Sequence, residues 1–363
     1  STVQATTSGA ACFNTCLPEA NTPKTPMTQS ATPRTDQMPA ATRRKLSELF
    51  TPDQIAWLTQ RSDLRGAWAI ASTWGVIATA FAALALWPGV ITFLLASAVI
   101  AGRQLCLAIL QHEGSHGTLF KNRWANDVLT DWLCARPIWQ NLPKYKVHHF
   151  GHHTQTGTDE DPDITLHADY PVSRASLARK MVRDITGLTG LKIAFGLVMM
   201  DAGVFKWTVA NHIERLPQTG RSWWDIAKTT VRNMGPLLIT NGVLLGALAA
   251  LGQAWLYTAW LVAFFCWLPL FVRIRSIAEH GCLPRSRDMF LNTRTTRAGW
   301  LARMTVAPVH VNYHLEHHVM ASVPYYRLPQ MHRWLREKHA APVAPSYLQV
   351  LKLASSGRHG AAA

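Results

Sequence analysis

The sequence predicts an all-α integral membrane protein, with four transmembrane helices arranged as two hairpins and a cytoplasmic helical cap that holds three histidine clusters. Of the 363 residues, 48% are hydrophobic and only 16% are charged, whereas soluble domains contain about 25% charged residues. Two long segments, 66–102 and 233–272, contain no Asp, Glu, Lys or Arg. One membrane-spanning helix needs roughly 20 apolar residues, so each segment is long enough for two spans and a tight turn.

The four spans are predicted at about 66–86, 89–110, 235–251 and 254–272. Trp87, Pro88 and Gly89 stand at the turn of the first hairpin, and Gly252 and Gln253 at the turn of the second. Proline, glycine and interfacial aromatic residues are typical of such turns. The alternative is a large soluble helical protein with two buried hairpins, but uncharged segments of this length are rare in water-soluble folds.

Basic residues flank both hairpins, while the hairpin turns carry no charge. The positive-inside rule therefore places both termini and all three histidine clusters on the cytoplasmic side. The basic residues that decide the orientation are Arg43, Arg44, Lys45, Arg61, Arg65, Arg103, Lys121, Arg123, Lys144, Lys146, Arg232, Arg273 and Arg275.

Outside the spans, the chain divides into three predicted parts: a disordered N-terminal tail (1–48), a membrane domain (49–345) and a C-terminal tail (346–363). The N-terminal tail is rich in Thr, Ser, Ala and Pro and has no apolar core typical of a secretory signal. Thr51 followed by Pro52 predicts a helix start. Residues 187–205 are too short and too polar for a span, and we expect a helix lying in the membrane interface there. The six cysteines form no recognisable framework, which favours reduced thiols.

The formal net charge of +15 does not indicate nucleic-acid binding, because no nucleic-acid motif accompanies it. A cytoplasmic cap next to an anionic leaflet explains the positive charge better, since attraction to that surface contributes about 1 kcal/mol of binding free energy for each Lys or Arg. The same field would attract an acidic electron-transfer protein.

The three histidine clusters carry the chemistry. They are His112 and His116 in HEGSH; His148, His152 and His153 in HHFGHH; and His314, His317 and His318 in HLEHH. Most of these residues are three or four apart, so on helices they share a face. Imidazole suits iron, zinc and copper, and eight imidazoles are too many for one ion and about right for two.

HEGSH by itself also fits the helical zinc motif of a protease, in which Glu113 would be the general base. An intramembrane zinc protease is therefore the remote alternative. Such an enzyme needs only one metal ion, often with an aspartate from an Asp-Gly turn as its third ligand. The sequence has no Asp-Gly pair, and this alternative leaves six clustered histidines unexplained.

Taken together, the clusters resemble those of the membrane fatty acid desaturase and hydroxylase family over residues 50–345. HEGSH matches H-x-x-x-H, His148–His153 matches H-x-x-x-H-H, and His314–His318 matches H-x-x-H-H. The flanking sequences TGT (156–158), DPD (161–163) and VPYYRLP (323–329) also look like family members.

The resemblance implies a di-iron centre whose histidines hold the metal and carry catalysis. Carried over by motif, the ligands are His112, His116, His148, His152, His153, His314, His317 and His318; His280, after the last span, is expected as a further ligand. His149 and His310 stand outside the box patterns and are not placed among the ligands. The carboxylates Glu113, Asp161, Asp163, Glu279 and Glu316 are expected to include hydrogen-bond partners of ligating histidines. We assign His167, His212, His332, His339 and His359 to surfaces.

The function implied by the resemblance is O₂-dependent desaturation of the acyl chain of a fatty acid or lipid drawn from the bilayer. Two electrons per turnover would come from an external donor of the ferredoxin or cytochrome b5 type. The alternative is a hydroxylase or ketolase that uses the same centre on a lipid or another apolar substrate. A non-enzymatic metal transporter is disfavoured because it should carry polar groups within its spans.

Overall fold

The structure, a computed structural model, describes residues 45–210 and 212–357. Most of the predicted N-terminal tail, with Cys12 and Cys16, lies outside this part of the chain, as does His359. The described residues are helical with isolated β-bridges and no strand. Four helices are long and apolar enough to cross a membrane: Asp63–Leu86 (α3), Val90–Ser115 (α4), Trp223–Ala250 (α9) and Ala254–His280. The predicted four-span fold is confirmed.

The helices extend beyond the uncharged segments from which the spans were predicted. The helix α9 begins at Trp223 rather than near residue 235, with a capping box between Ser222 and Asp225. The fourth span contains Tyr257–Val262 (α10), the π-helical stretch Ala263–Trp267 and Leu268–His280 (α11). The helices continue past the last apolar residues because polar and basic residues also form helices. Such residues end the contact with the membrane without ending the helix. As a result, α4 and α11 carry His112 and His280 beyond the apolar part of the bundle.

Helix α4 is the central span. It packs along α3 and against the fourth span, and 61% of its most apolar part is buried, against 6% for α9. Ile100, Leu105 and Leu110 are fully buried along it. At Gly102 the chain that precedes the third histidine cluster approaches closely, since a Cβ there would lie 2.1 Å from the Met304 carbonyl oxygen. The Arg103 guanidinium donates hydrogen bonds to the Arg303 and Met304 carbonyls.

Replacing Gly102 by alanine should destabilise this packing. No backbone oxygen can remain 2.1 Å from a Cβ, so α4 and residues 303–305 must separate, at a cost of about 1–3 kcal/mol. Thermal unfolding in detergent should show a lower midpoint for Gly102→Ala. Gly75→Ala is the matched control, because a Cβ at Gly75 in α3 meets nothing within 4 Å. Equal midpoints for the two variants would contradict the close approach.

The cap consists of shorter helices between and after the spans. Before the first span lie Leu46–Leu49 (α1) and Pro52–Leu58 (α2), and between the second and third lie Leu142–Gln155 (α5), Ile164–His167 (α6), Arg174–Ile185 (α7) and Leu188–Asp201 (α8). After the fourth span come Met289–Asn292 (α12), Trp300–Met304 (α13), His314–Val319 (α14), Leu328–Glu337 (α15) and Tyr347–Ala354 (α16). Two π-helical stretches, Ala125–Leu129 and Asp131–Ala135, follow α4.

Two parts of the cap bear on the predicted boundaries. The helix α2 begins at Pro52 under a capping box between Thr51 and Gln54, as the sequence predicts. Residues 346–357 belong to the folded domain rather than to a C-terminal tail, because Val350 and Ala354 of α16 are buried against Ile277 of α11. The helix α8 lies where an interfacial helix is predicted, and its Leu191 and Phe195 are exposed.

Candidate metal centre

Nine histidines of the described chain converge in two groups where the spans meet the cap. The five-histidine group contains His112, His116, His149, His153 and His317, and the four-histidine group contains His152, His280, His314 and His318. In each group, one ring nitrogen from every member lies within 4.8 Å of the others. All nine side chains are buried or half-buried. Rings that are more than 200 positions apart in sequence thus share one small volume.

In the five-histidine group, the Nε2 atoms follow one another at hydrogen-bond distance. His112 and His317 are 2.9 Å apart, and His317 lies 3.0 Å from His153. His149 then lies 3.0 Å from His153 and 2.9 Å from His116. The group therefore joins α4, α5 and α14, and each ring directs its Nε2 to a common centre.

The four-histidine group is built in the same way on α5, α11 and α14. The Nε2 of His314 lies 2.8 Å from that of His280 and 3.1 Å from that of His318. The Nδ1 of His152 is 2.8 Å from the Asp161 carboxylate, and the Nδ1 of His280 is 3.1 Å from the Asn292 carbonyl. These outer contacts leave the Nε2 atoms free to face the centre of the group.

The second histidine cluster differs from the expectation in one residue. His148 belongs to neither group; its Nε2 lies 2.8 Å from the Asp163 carboxylate. His149 takes the place expected of His148. The sequence carried a signal for this, because His149, His152 and His153 have the i, i+3, i+4 spacing of His314, His317 and His318. Residues at this spacing share one helix face, whereas His148 lies to one side of it.

Of the other histidines, His280 lies in the four-histidine group, as the resemblance implies, and His310 lies in neither group. His167 and His332 are not surface residues. His167 is 9% exposed, with its Nε2 3.7 Å from Asp161, and the Nδ1 of His332 is 2.6 Å from Glu316. His212 and His339 are exposed, as predicted.

The five carboxylates expected beside the clusters all lie there, and four of them are almost fully buried. The Glu113 carboxylate accepts hydrogen bonds from the Thr118 hydroxyl and from the Tyr325 backbone N–H, both at 2.9 Å. It thereby ties the end of α4 to the VPYYRLP segment that follows the third cluster. Beyond it, the Arg327 guanidinium lies 3.8 Å from the centre of the Trp57 ring and secures α2.

The remaining carboxylates hold α5, α11 and α14. Asp161 accepts from the backbone N–H of Asp163 as well as contacting His152. The Arg275 guanidinium donates to Glu279 at 2.7 Å, and Glu279 lies 3.6 Å from the Nδ1 of His314. Glu316 is fully buried and accepts a hydrogen bond from the Thr295 hydroxyl. Partners of this kind fix the orientation of histidine rings in metal sites.

Comparison with known proteins decides the family. A family model described as fatty acid desaturase matches residues 85–348, which include both histidine groups. The chain belongs to the fatty acid desaturase family. One curated relative is the dihydrorhizobitoxine desaturase of Bradyrhizobium elkanii, which is 26% identical over 238 residues. The match covers 64% of this chain and 65% of that protein. The match thus spans slightly less than two thirds of that relative's length, and the family together with the four spans indicates a membrane protein.

In this family member, burial keeps the cap histidines neutral. Burial and then the charge of Lys146 lower the pKa of His116 from 6.5 to about 4. Burial and the nearby rings of His116 and His152 lower the pKa of His153 to about 2. Burial is also the main reason why the pKa values of His149, His314, His317 and His318 lie well below the ordinary value. Neutral imidazole is the form that binds a metal ion.

His152 is the exception in the cap. Burial acts to lower its pKa, but the hydrogen bond to Asp161 and the charges of Asp163 and Asp161 outweigh burial and raise it. Burial likewise acts to raise the pKa of Asp161, but the hydrogen bond from His152 and the nearby imidazole of His167 lower it below the usual range. The pair therefore combines an anionic carboxylate with an imidazole whose pKa is raised, and such a carboxylate raises the basicity of a ligating ring.

The donor set fits two metal ions. The imidazole nitrogens converge in two separate groups. Hydrogen bonds between pairs of rings do not explain why five rings surround one centre and four rings surround the other. An all-nitrogen donor set favours iron, zinc or copper over magnesium and calcium. The family match and the two groups together support metal binding.

Proposed function

We propose that this protein is an O₂-dependent di-iron oxidoreductase that desaturates the acyl chain of a fatty acid or lipid. The observation that carries the proposal is the convergence of nine histidines in two adjacent groups at the ends of the spans. The family match and the desaturase relative support desaturation as the reaction. They also count against the intramembrane zinc protease, which needs one ion and no second histidine group.

The proposed ligands divide between the two ions. His112, His116, His149, His153 and His317 would hold one, and His152, His280, His314 and His318 the other. Bound iron would supply the activation of O₂ that is needed to remove hydrogen from an unactivated methylene group. In this proposal His148 is not a ligand but a partner of Asp163, which also lies 3.8 Å from the Nδ1 of His152.

The chain itself would orient the ligands and exclude water. Asp161 fixes the ring of His152, and the Asn292 carbonyl fixes that of His280. Glu113 joins the first cluster to the segment after the third, so these elements cannot separate without leaving a buried carboxylate without partners. Such a loss costs about 1–3 kcal/mol or more. The centre would therefore be rigid before substrate arrives.

Desaturation consumes one O₂, two protons and two electrons, and it yields an alkene and two water molecules. The two electrons would come from an acidic external donor, a ferredoxin or a cytochrome of the b5 type, attracted by the basic cap. The flanking basic residues favour a cytoplasmic location for the termini and the centre. The apolar substrate would enter from the bilayer. Hydroxylation or ketone formation at the same centre is the alternative, and the product separates them: loss of two hydrogens against gain of one oxygen.

The proposal predicts the lipid profile of an expression host. A host of known lipid composition that expresses the wild-type protein should contain a new lipid lighter by two hydrogens. A host that expresses the His317→Ala variant should contain no such lipid, because His317 links His112 to His153 in the five-histidine group. His339→Ala is the matched control, since His339 is exposed and lies in neither group. Unchanged product with His317→Ala, at equal protein level, would reject the proposed catalytic centre.

A further inference from the structure

A cavity of about 300 Å³ opens beside the five-histidine group. Its wall includes His116 and Phe150, whose rings are 5.6 Å apart. The remainder comes from the chain before α3, the segment that follows α4 and the first half of α5. The cavity therefore connects the surface at the ends of the first two spans with one member of the proposed metal centre.

The wall of this cavity is strongly cationic. Arg61, Lys121, Arg123 and Lys146 line it, against the single carboxylate of Asp127. Asp127 lies 3.6 Å from both Arg123 and Lys146. One carboxylate beside four cations leaves an excess of three positive charges in a recess, where the field of like charges adds.

Two of these cations have no acidic partner within the described residues. The Arg61 Nε is buried without a hydrogen-bond partner. The Lys121 ammonium makes no hydrogen bond or ion pair there either. Asp63, the acidic residue closest along the chain to Arg61, accepts the backbone N–H groups of Lys121 and Asn122. The cavity thus presents a guanidinium and an ammonium group that are free to bind an anion.

We propose that this cavity binds the anionic head group, a carboxylate or a phosphate, of the molecule oxidised at the histidine centre. The inference rests on the proposed function and adds the substrate class: an amphiphile with a negatively charged head, rather than a neutral hydrocarbon or ester. Guanidinium and ammonium groups are the usual partners of carboxylate and phosphate. With the head at Lys121 and Arg61, the adjoining part of the molecule reaches His116.

The shape of the cavity favours a small ligand over a docked protein. Small-molecule sites are recesses of about 300–1,000 Å³, whereas a protein docks on a face of about 800 Å² per partner. The cations lie in the walls of a recess at the lower end of that volume range. The recess also lies at the ends of α3 and α4, where an amphiphile in the bilayer holds its head group.

Equilibrium binding without an electron donor tests the site independently of turnover. Full-length, metal-loaded protein in phosphatidylcholine nanodiscs would be titrated with radiolabelled palmitate, with dipalmitoyl phosphatidate and with methyl palmitate. We expect palmitate, phosphatidate or both to bind at least about tenfold more tightly than the uncharged ester. Palmitate alone would identify a free acid as the source of the anion, and phosphatidate alone would identify a lipid. Equal binding of all three would overturn the proposal.

Substitutions in the cavity locate the binding. Lys121→Gln and Arg61→Gln should each weaken binding of the anionic ligand by about tenfold, the effect of losing one charged hydrogen bond. Arg179→Gln removes an exposed cation from α7 that does not line the cavity, and it should bind like the wild type. Unchanged affinity in both cavity variants would overturn the proposal. So would unchanged palmitate affinity together with a raised KM for the reduced electron donor, because the cavity would then serve protein docking.

The two proposals can fail separately. If the protein binds the anionic ligands more tightly than methyl palmitate but forms no oxidised product, the proposed function is wrong and the anion site stands. Product formation from methyl palmitate as readily as from palmitate would remove the anion site and leave the proposed function.

Discussion

His149→Ala is expected to abolish product formation, whereas His148→Ala is expected to keep roughly a hundredth to a tenth of wild-type activity. The Nε2 of His149 contacts those of His116 and His153 within the five-histidine group. His148 instead contacts Asp163, outside both groups. Loss of a residue that supports a ligand typically costs about 10–100-fold in activity or metal affinity, and loss of a ligand costs more. The two variants remove neighbouring histidines of one helix, so each controls for the other.

The measurement is oxidised lipid per unit of purified protein in the expression host, with thermal unfolding as a check on folding. Both variants should unfold near the wild-type midpoint when metal is present in excess. The opposite ranking, with His149→Ala active and His148→Ala inactive, would return the ligand role to His148 and contradict the helix orientation seen in the structure.

The second large effect concerns the number of ions. His280→Ala should reduce the metal content from two ions per chain to about one and abolish activity. The His280 Nε2 lies 2.8 Å from that of His314 in the four-histidine group, and its ring is fixed by the Asn292 carbonyl. The five-histidine group does not include His280 and should retain its ion. Elemental analysis of the purified protein gives the count directly.

His310→Ala is the matched control for His280→Ala. His310 is half-buried beside the third cluster but belongs to neither group. The His310→Ala variant should retain two ions per chain. If His280→Ala also kept two ions, the four-histidine group would not be a metal site as proposed. If it lost both, the two ions would depend on each other more than the separate groups suggest.

Much of the fold is predictable from composition alone. A segment without charges, long enough for two spans, can lie almost nowhere but in the membrane, so the four spans follow from the sequence. The residues at which the spanning helices begin and end cannot be predicted from composition in this way. In α9 the residues from Trp223 to Arg232 are helical although they include Asp225, Lys228 and Arg232.

The orientation of α5 explains why His148 and His149 could not be separated by hydropathy. Leu142 is the only apolar residue of α5 that is fully buried, while Val147 and Phe150 are exposed. An apolar stripe therefore does not mark the inner face, and only the repeated i, i+3, i+4 spacing does. His332 was missed for another reason: its partner Glu316 lies on a different helix, and such contacts follow from tertiary packing. The sequence did carry a signal for the helix α16, since Val350 and Ala354 are four residues apart and therefore share one helix face.

In the proposed centre, histidines from distant parts of the chain bind two redox-active ions at the ends of the spans. The most direct test is an experimental structure of the metal-loaded wild-type protein with anomalous scattering at the iron edge. We expect two iron peaks, one within the five-histidine group and one within the four-histidine group, with His149 and not His148 next to the first. A single peak, a zinc signal in place of iron, or rings that do not converge would contradict the proposed centre.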